Sequence, residues 1–226
     1  MDYLVARELN ALYILMDIVY LMVLGFLLLK FKRTRAFYFG LFGAIVYFIV
    51  DYGIFYQVLG TRKVDGADPM LFLLWLSISY GFTNFLWIWL FLDSDKHIVK
   101  WSLYIVLGWL LIAGISQIFG GQFYPIRIER MTGSYHGIMA LMLVIGYGAV
   151  IIRNLTIKDA PKISIVRLLM IGIIVQFSWE AVLLVSGIRP QGFKPLLFNS
   201  LLETNLGIPY LYLIHKKITE RLNHSL

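Results

Sequence analysis

Seven apolar runs of about 20 residues, joined by short loops, leave this chain few folds to choose from. A run of that length matches the hydrocarbon core of a bilayer, where a backbone must satisfy its own polar groups by forming helix. The runs cover 9–30, 36–60, 70–92, 101–119, 136–152, 164–187 and 196–215. The expected fold is therefore all-α: a polytopic, multi-pass integral membrane protein with seven transmembrane helices. It reads as one domain over residues 1–226. The composition agrees, at 60% hydrophobic against roughly half in soluble domains. The first run reads as a retained span. It opens with Asp2, Arg7 and Glu8 instead of a basic region, and no small-residue cleavage site follows it.

Charge sets the expected orientation. Lys30, Lys32, Arg33, Arg35, Lys96, Lys100, Arg153, Lys158, Lys162, Arg167, Lys216, Lys217 and Arg221 fall in the loops of one side. The other side carries only Arg7, Arg62, Lys63, Arg127, Arg130, Arg189 and Lys194. By the positive-inside rule the N-terminus lies outside and the C-terminus inside. The net charge of +7 is thus spent on orientation and on anionic lipid heads, and no nucleic-acid partner is expected. The absence of cysteine removes disulfides, thiolate metal sites and cysteine nucleophiles. Of His97, His136, His215 and His224, only His136 lies on the outer side, and no ligand motif surrounds it. No metal and no cofactor are expected.

Four carboxylates lie within the runs: Asp17, Asp51, Glu180 and Glu203. Each is seven to nine residues from the outer end of its run, so all four fall roughly 10–14 Å below the outer edge of the apolar core. Acids at such depth face a protein interior, a partner or a wet cavity. Four at one level predict a built site. Gln176 precedes Glu180 by one helical turn, and Asn199 precedes Glu203 likewise, so each pair shares a face. Asn84 and Asn205 add amides, and Trp87, Trp179, Tyr52 and Tyr56 add rings near the same level. Together with Asp17 these side chains are the expected lining of a substrate pocket, whose ring faces can hold a cation.

Two hairpins also resemble each other. Spans two and three contain YGIFYQVLGTR and SISYGFTNFLWIWLF; spans six and seven contain WEAVLLVSGIR and SLLETNLGIPYLYLI. Each pair has Gly-x-Arg at an outer helix end and Thr-Asn in the next span. The expected plan is three spans, a connector and three more.

A retinal receptor would need a lysine in the middle of the last helix, whereas Lys216 and Lys217 stand at its inner end. Acid catalysis fits better. One member of a buried carboxyl pair can stay neutral and give its proton to a substrate. Asp51 and Glu203 are the expected acid pair, with Glu180 sharing or tuning the proton. The segments VDYGIFY, SWEAVLL and LLETNLGIPYLYL resemble the small seven-helix membrane terpene cyclases of fungal meroterpenoid and indole-diterpene pathways. That resemblance implies protonation of an alkene or epoxide in a lipophilic isoprenoid taken from the bilayer, with an early acid at Asp51 and a late one at Glu203. The Trp-Glu pair of the early helix in those enzymes falls here in the sixth span, as Trp179–Glu180. The alternative is a small seven-helix transporter, sugar-type or proton-coupled, using the same acids and asparagines.

Overall fold

The structure is a computed structural model, and it describes residues 4–121, 123–131, 136–157, 161–189, 196, 201 and 203–224. The chain forms two compact units. The first comprises 1–133 with 181–192, and the second comprises 134–180 with 193–226.

The first unit begins with strand β1 (Leu4–Asn10) and helix α1 (Ala11–Lys30). Asn10 caps α1: its side-chain oxygen accepts from Tyr13 N at 2.9 Å, and its amide donates to Ser116 O at 3.0 Å. Helix α2 (Thr34–Phe48) runs on into a π-helical segment, Ile49–Val58. Strand β2 (Arg62–Asp65) follows. The third span joins α3 (Pro69–Leu76), a second π-helical segment (Ser77–Gly81) and α4 (Phe82–Leu92). Asp68 caps it by accepting from Leu71 N at 2.9 Å, with Pro69 in the first turn where its missing N–H costs nothing. Helix α5 (Ile98–Phe119) and strand β3 (Pro125–Met131) complete the order.

The third span is the core of this unit, since most of its apolar window is buried, against a third or less in α1, α2 and α5. Close approach against α2 needs glycine. A Cβ on Gly43 would lie 2.3 Å from the Phe85 ring and 2.5 Å from Gly81 O. Small residues at such crossings let two backbones pack tightly where lipid offers no hydrophobic drive. The faces of α1 are inverted relative to a soluble helix. Leu15, Val19, Met22 and Phe26 are exposed, whereas Tyr13, Asp17 and Tyr20 are buried.

In the second unit α6 (His136–Thr156) and α7 (Ile165–Val185) are followed by α8 (Ile208–His224). Gly146 takes Tyr210 and Pro209 against it, and the Tyr210 hydroxyl donates to Met142 O at 2.9 Å.

One expectation needs correction: the fold is mostly helical but not all-α, since the order β1-β3-β2 makes a three-stranded antiparallel sheet. Its registers pair Arg7 with Ile128 and Arg62 with Arg130. Pro-Ile-Arg-Ile-Glu-Arg-Met alternates apolar and polar residues, which is a strand signal hidden among long helical runs. Six of the described helices are long and apolar enough to cross a membrane. The last run differs. Its described helix starts at Ile208, twelve residues later than the run, and carries Lys216, Lys217, Glu220 and Arg221 in its second half. Glu203 sits in the turn Glu203–Gly207 instead of mid-helix.

Candidate functional site

Asp51 is the most heavily bonded acid of the first unit. Arg62 donates from Nε and Nη2 to Asp51 Oδ1 at 3.2 and 3.0 Å. Arg130 Nη2 donates to Oδ1 and Oδ2 at 3.1 and 3.4 Å. The Tyr80 hydroxyl donates to Oδ2. All of this is shielded: the side chains of Asp51 and Arg62 are 2% and 1% exposed. The sheet makes the arrangement, because its register sets Arg62 beside Arg130 across two strands. The helices complete it, since Asp51 and Tyr80 both stand on π-helical segments, a geometry that shifts helical register and recurs at functional sites. Burial, then the neighbouring Arg130 guanidinium, lowers Arg62 to about 10, so it remains charged at neutral pH. The Phe55 ring covers it at 4.3 Å.

Such a carboxylate is an ion-pair partner and a poor proton donor. Two guanidiniums and a phenol stabilise its charged form. Asp51 and Glu203, the expected acid pair, belong to different units, and the bonds around Asp51 come from Arg62, Arg130 and Tyr80.

Asp17, in the same unit, belongs to a different cluster. The Trp75 indole N–H donates to its Oδ2 at 3.0 Å, and Ser79 lies beside it. The remaining first-unit residues of the expected pocket are dispersed. Tyr52 stacks between Phe48 and Tyr56 at 5.2 and 5.5 Å and accepts from Gln57 at 2.8 Å, which is a helical ladder on the half-buried side. Trp87 donates to Ser102 Oγ at 2.8 Å and meets Trp109 edge-on, so it packs α4 on α5. Asn84 is buried, and its Oδ1 has no hydrogen-bond partner among the described residues.

In the second unit the expected residues do converge. Gln176 Nε2 donates to Glu180 Oε1 at 3.3 Å and to Glu203 Oε2 at 3.0 Å. The Thr204 hydroxyl donates to Gln176 Oε1 at 2.6 Å, which fixes which end of the amide faces the carboxyls. Glu180 is fully buried and Glu203 half-buried. Asn205 Oδ1 accepts from the Tyr147 hydroxyl at 3.2 Å and packs on Gly172. Trp179 is buried beside Glu180 in sequence. Asn199 lies outside the described residues. Among the described residues no group of three or more acids and histidines could hold a metal ion.

Sequence reading missed Arg130, Tyr80, Trp75, Thr204 and Tyr147 as partners. The alternation Ile126, Ile128, Arg130 could have placed the first on the buried face of a strand. The others carry no local signal.

The chain matches no family model, and no curated protein or solved structure is significantly similar to it.

Proposed function

We propose that this is a multi-pass membrane protein whose second unit gives a proton from Glu203 to a lipophilic, isoprenoid-like substrate and guides its cyclisation. The observation that carries this reading is the Gln176 amide donating to two carboxyls at once, 3.3 Å from Glu180 and 3.0 Å from Glu203. In that arrangement Glu180 is the interior acceptor. Glu203, on a turn and half-buried, is the group a substrate can reach. Thr204 and Gln176 are positioning residues. Protonation of an alkene or epoxide would leave a carbocation on the substrate, and loss of a proton after ring closure would return the acid. The net reaction is an isomerisation and consumes no co-reactant. The resemblance of SWEAVLL and LLETNLGIPYLYL to the membrane terpene cyclases supports the same class. The assigned orientation, N-terminus outside and C-terminus inside, rests on the loop charges.

The three-plus-one-plus-three plan gains support from the sheet. Met131 N donates to Thr61 O at 3.0 Å, and Glu8 N donates to Ile188 O at 2.8 Å. Each Gly-x-Arg turn is thus bonded by the strand that opens the other repeat, and Gly60 and Gly187 both turn with left-handed φ, at 61° and 79°. This duplication favours a second reading, a small carrier, because transporters are commonly built from such repeats.

The test is lipid extraction and mass spectrometry from cells expressing the chain with a panel of linear prenylated compounds. A product of unchanged mass and altered retention, lost in Glu203→Gln and kept in Trp87→Phe, is the expected result. Unaltered substrate throughout, with solute exchange in proteoliposomes, would replace the cyclase by the carrier.

A further inference from the structure

The first unit holds a buried acid with no described counter-charge. Asp17 is 0% exposed. Its Oδ2 accepts one indole N–H, from Trp75 at 3.0 Å. Ser79 Oγ is the carboxyl's other polar partner, a neutral hydroxyl. The hydroxyls of Tyr13 and Tyr20, one turn to either side on α1, have no hydrogen-bond partner among the described residues.

The partners given to the carboxyl are neutral: the Trp75 indole and the Ser79 hydroxyl. Helix α5 presents Tyr104, stacked on Tyr20 at 5.8 Å. Helix α2 presents Phe37, against Gly25. The third span presents Trp75 and Ser79. Strand β1 presents Arg7, whose charge acts on Tyr13.

An ionised carboxylate there would keep an unmatched charge in a dry interior, which natural interiors avoid. A neutral acid removes the charge, and its O–H can donate to the Ser79 oxygen already beside it. A bound metal ion fits less well, since Asp17 is a single carboxyl and no metal-holding cluster occurs among the described residues.

We propose that Asp17, with Ser79 and Trp75, is a proton-binding site of the first unit, holding its proton on Oδ1 toward Ser79 Oγ. The site is independent of the role given to Glu203. The proton keeps charge out of the α1–third span contact, and losing it would put a charge there.

Infrared difference spectra of the purified protein test this without requiring a reagent to reach the site. Wild type minus Asp17→Asn, at neutral pH, should show the carbonyl band of one protonated carboxyl. Loss of carboxylate bands instead would overturn the proposal. Carboxylate bands that shift between sodium and choline chloride would reassign the site to a monovalent cation. As a fold check, Asp17→Asn should keep the wild-type melting temperature, because an amide reproduces the neutral acid. Reaction of a hydrophobic carbodiimide provides a second readout. The acid proton moves to a reagent nitrogen, the carboxyl oxygen bonds the central carbon, and rearrangement leaves a stable N-acylurea. The adduct should map to Asp17, be absent in Asp17→Asn, and form more slowly as pH rises.

Discussion

Asp51 and Asp17 are the same residue, in the same unit, each buried to within 2% of complete, yet their surroundings are opposites. Asp51 takes donors from Arg62, Arg130 and Tyr80. Asp17 takes one indole N–H. Neighbouring residues of one π-helical segment serve the two: Ser79 turns to Asp17 and Tyr80 to Asp51. Burial alone therefore does not define a functional acid. The charge brought to it does, and here a sheet brings charge to one aspartate and leaves the other to neutral partners.

The comparison breaks most sharply at Asp51. Asp51→Asn leaves two guanidiniums facing a neutral amide and should cost about 3–5 kcal/mol, the usual penalty for orphaning one side of a buried pair. The melting temperature in detergent should fall by many degrees. The double variant Asp51→Asn/Arg130→Met should lose less than the sum of its parts, and strict additivity would show that the pair is not coupled. Next comes Trp75→Phe, which strips Asp17 of its donor at an expected cost of about 1–3 kcal/mol. Asp17→Asn should change stability by no more than about 1 kcal/mol, because the amide oxygen still accepts from Trp75. A collapse on the scale of Asp51→Asn would erase the distinction between the two sites.

A surface reference sharpens the scale. Asp95 accepts from Arg33 Nε and from His97 N at the opposite ends of the helices. Although its partial burial acts to raise it, the bond from Arg33 prevails and holds its carboxyl below the usual range. Its contribution is then present above that range and lost as pH falls through the lowered value. Asp95→Asn should cost about 1 kcal/mol or less at neutral pH, and nothing further in strong acid.

The long apolar helices were legible because each needs only its own run of apolar residues. The candidate acids were legible too, since a charge inside such a run is conspicuous. What surrounds them was not. Arg130 reaches Asp51 from 79 residues away, through a strand that the helical pattern conceals. Gln176 was placed correctly with Glu180 by helical spacing, whereas its bond to Glu203 crosses 27 residues and a turn. The end of the last run was less legible, because its described helix continues past residue 215 through Lys216, Lys217 and Arg221.

The sheet also orders events during synthesis. β1 and β2 leave the ribosome early, but both pair with β3, which is made only after the fourth span. Two helical segments separate β1 from β2, and two more separate β2 from β3, so the strands meet only once the four helical segments between them lie side by side. Until β3 pairs, the edges of β1 and β2 stay open and Arg130 is kept from Asp51. Pairing of β3 thus brings a counter-charge to an aspartate made 79 residues earlier.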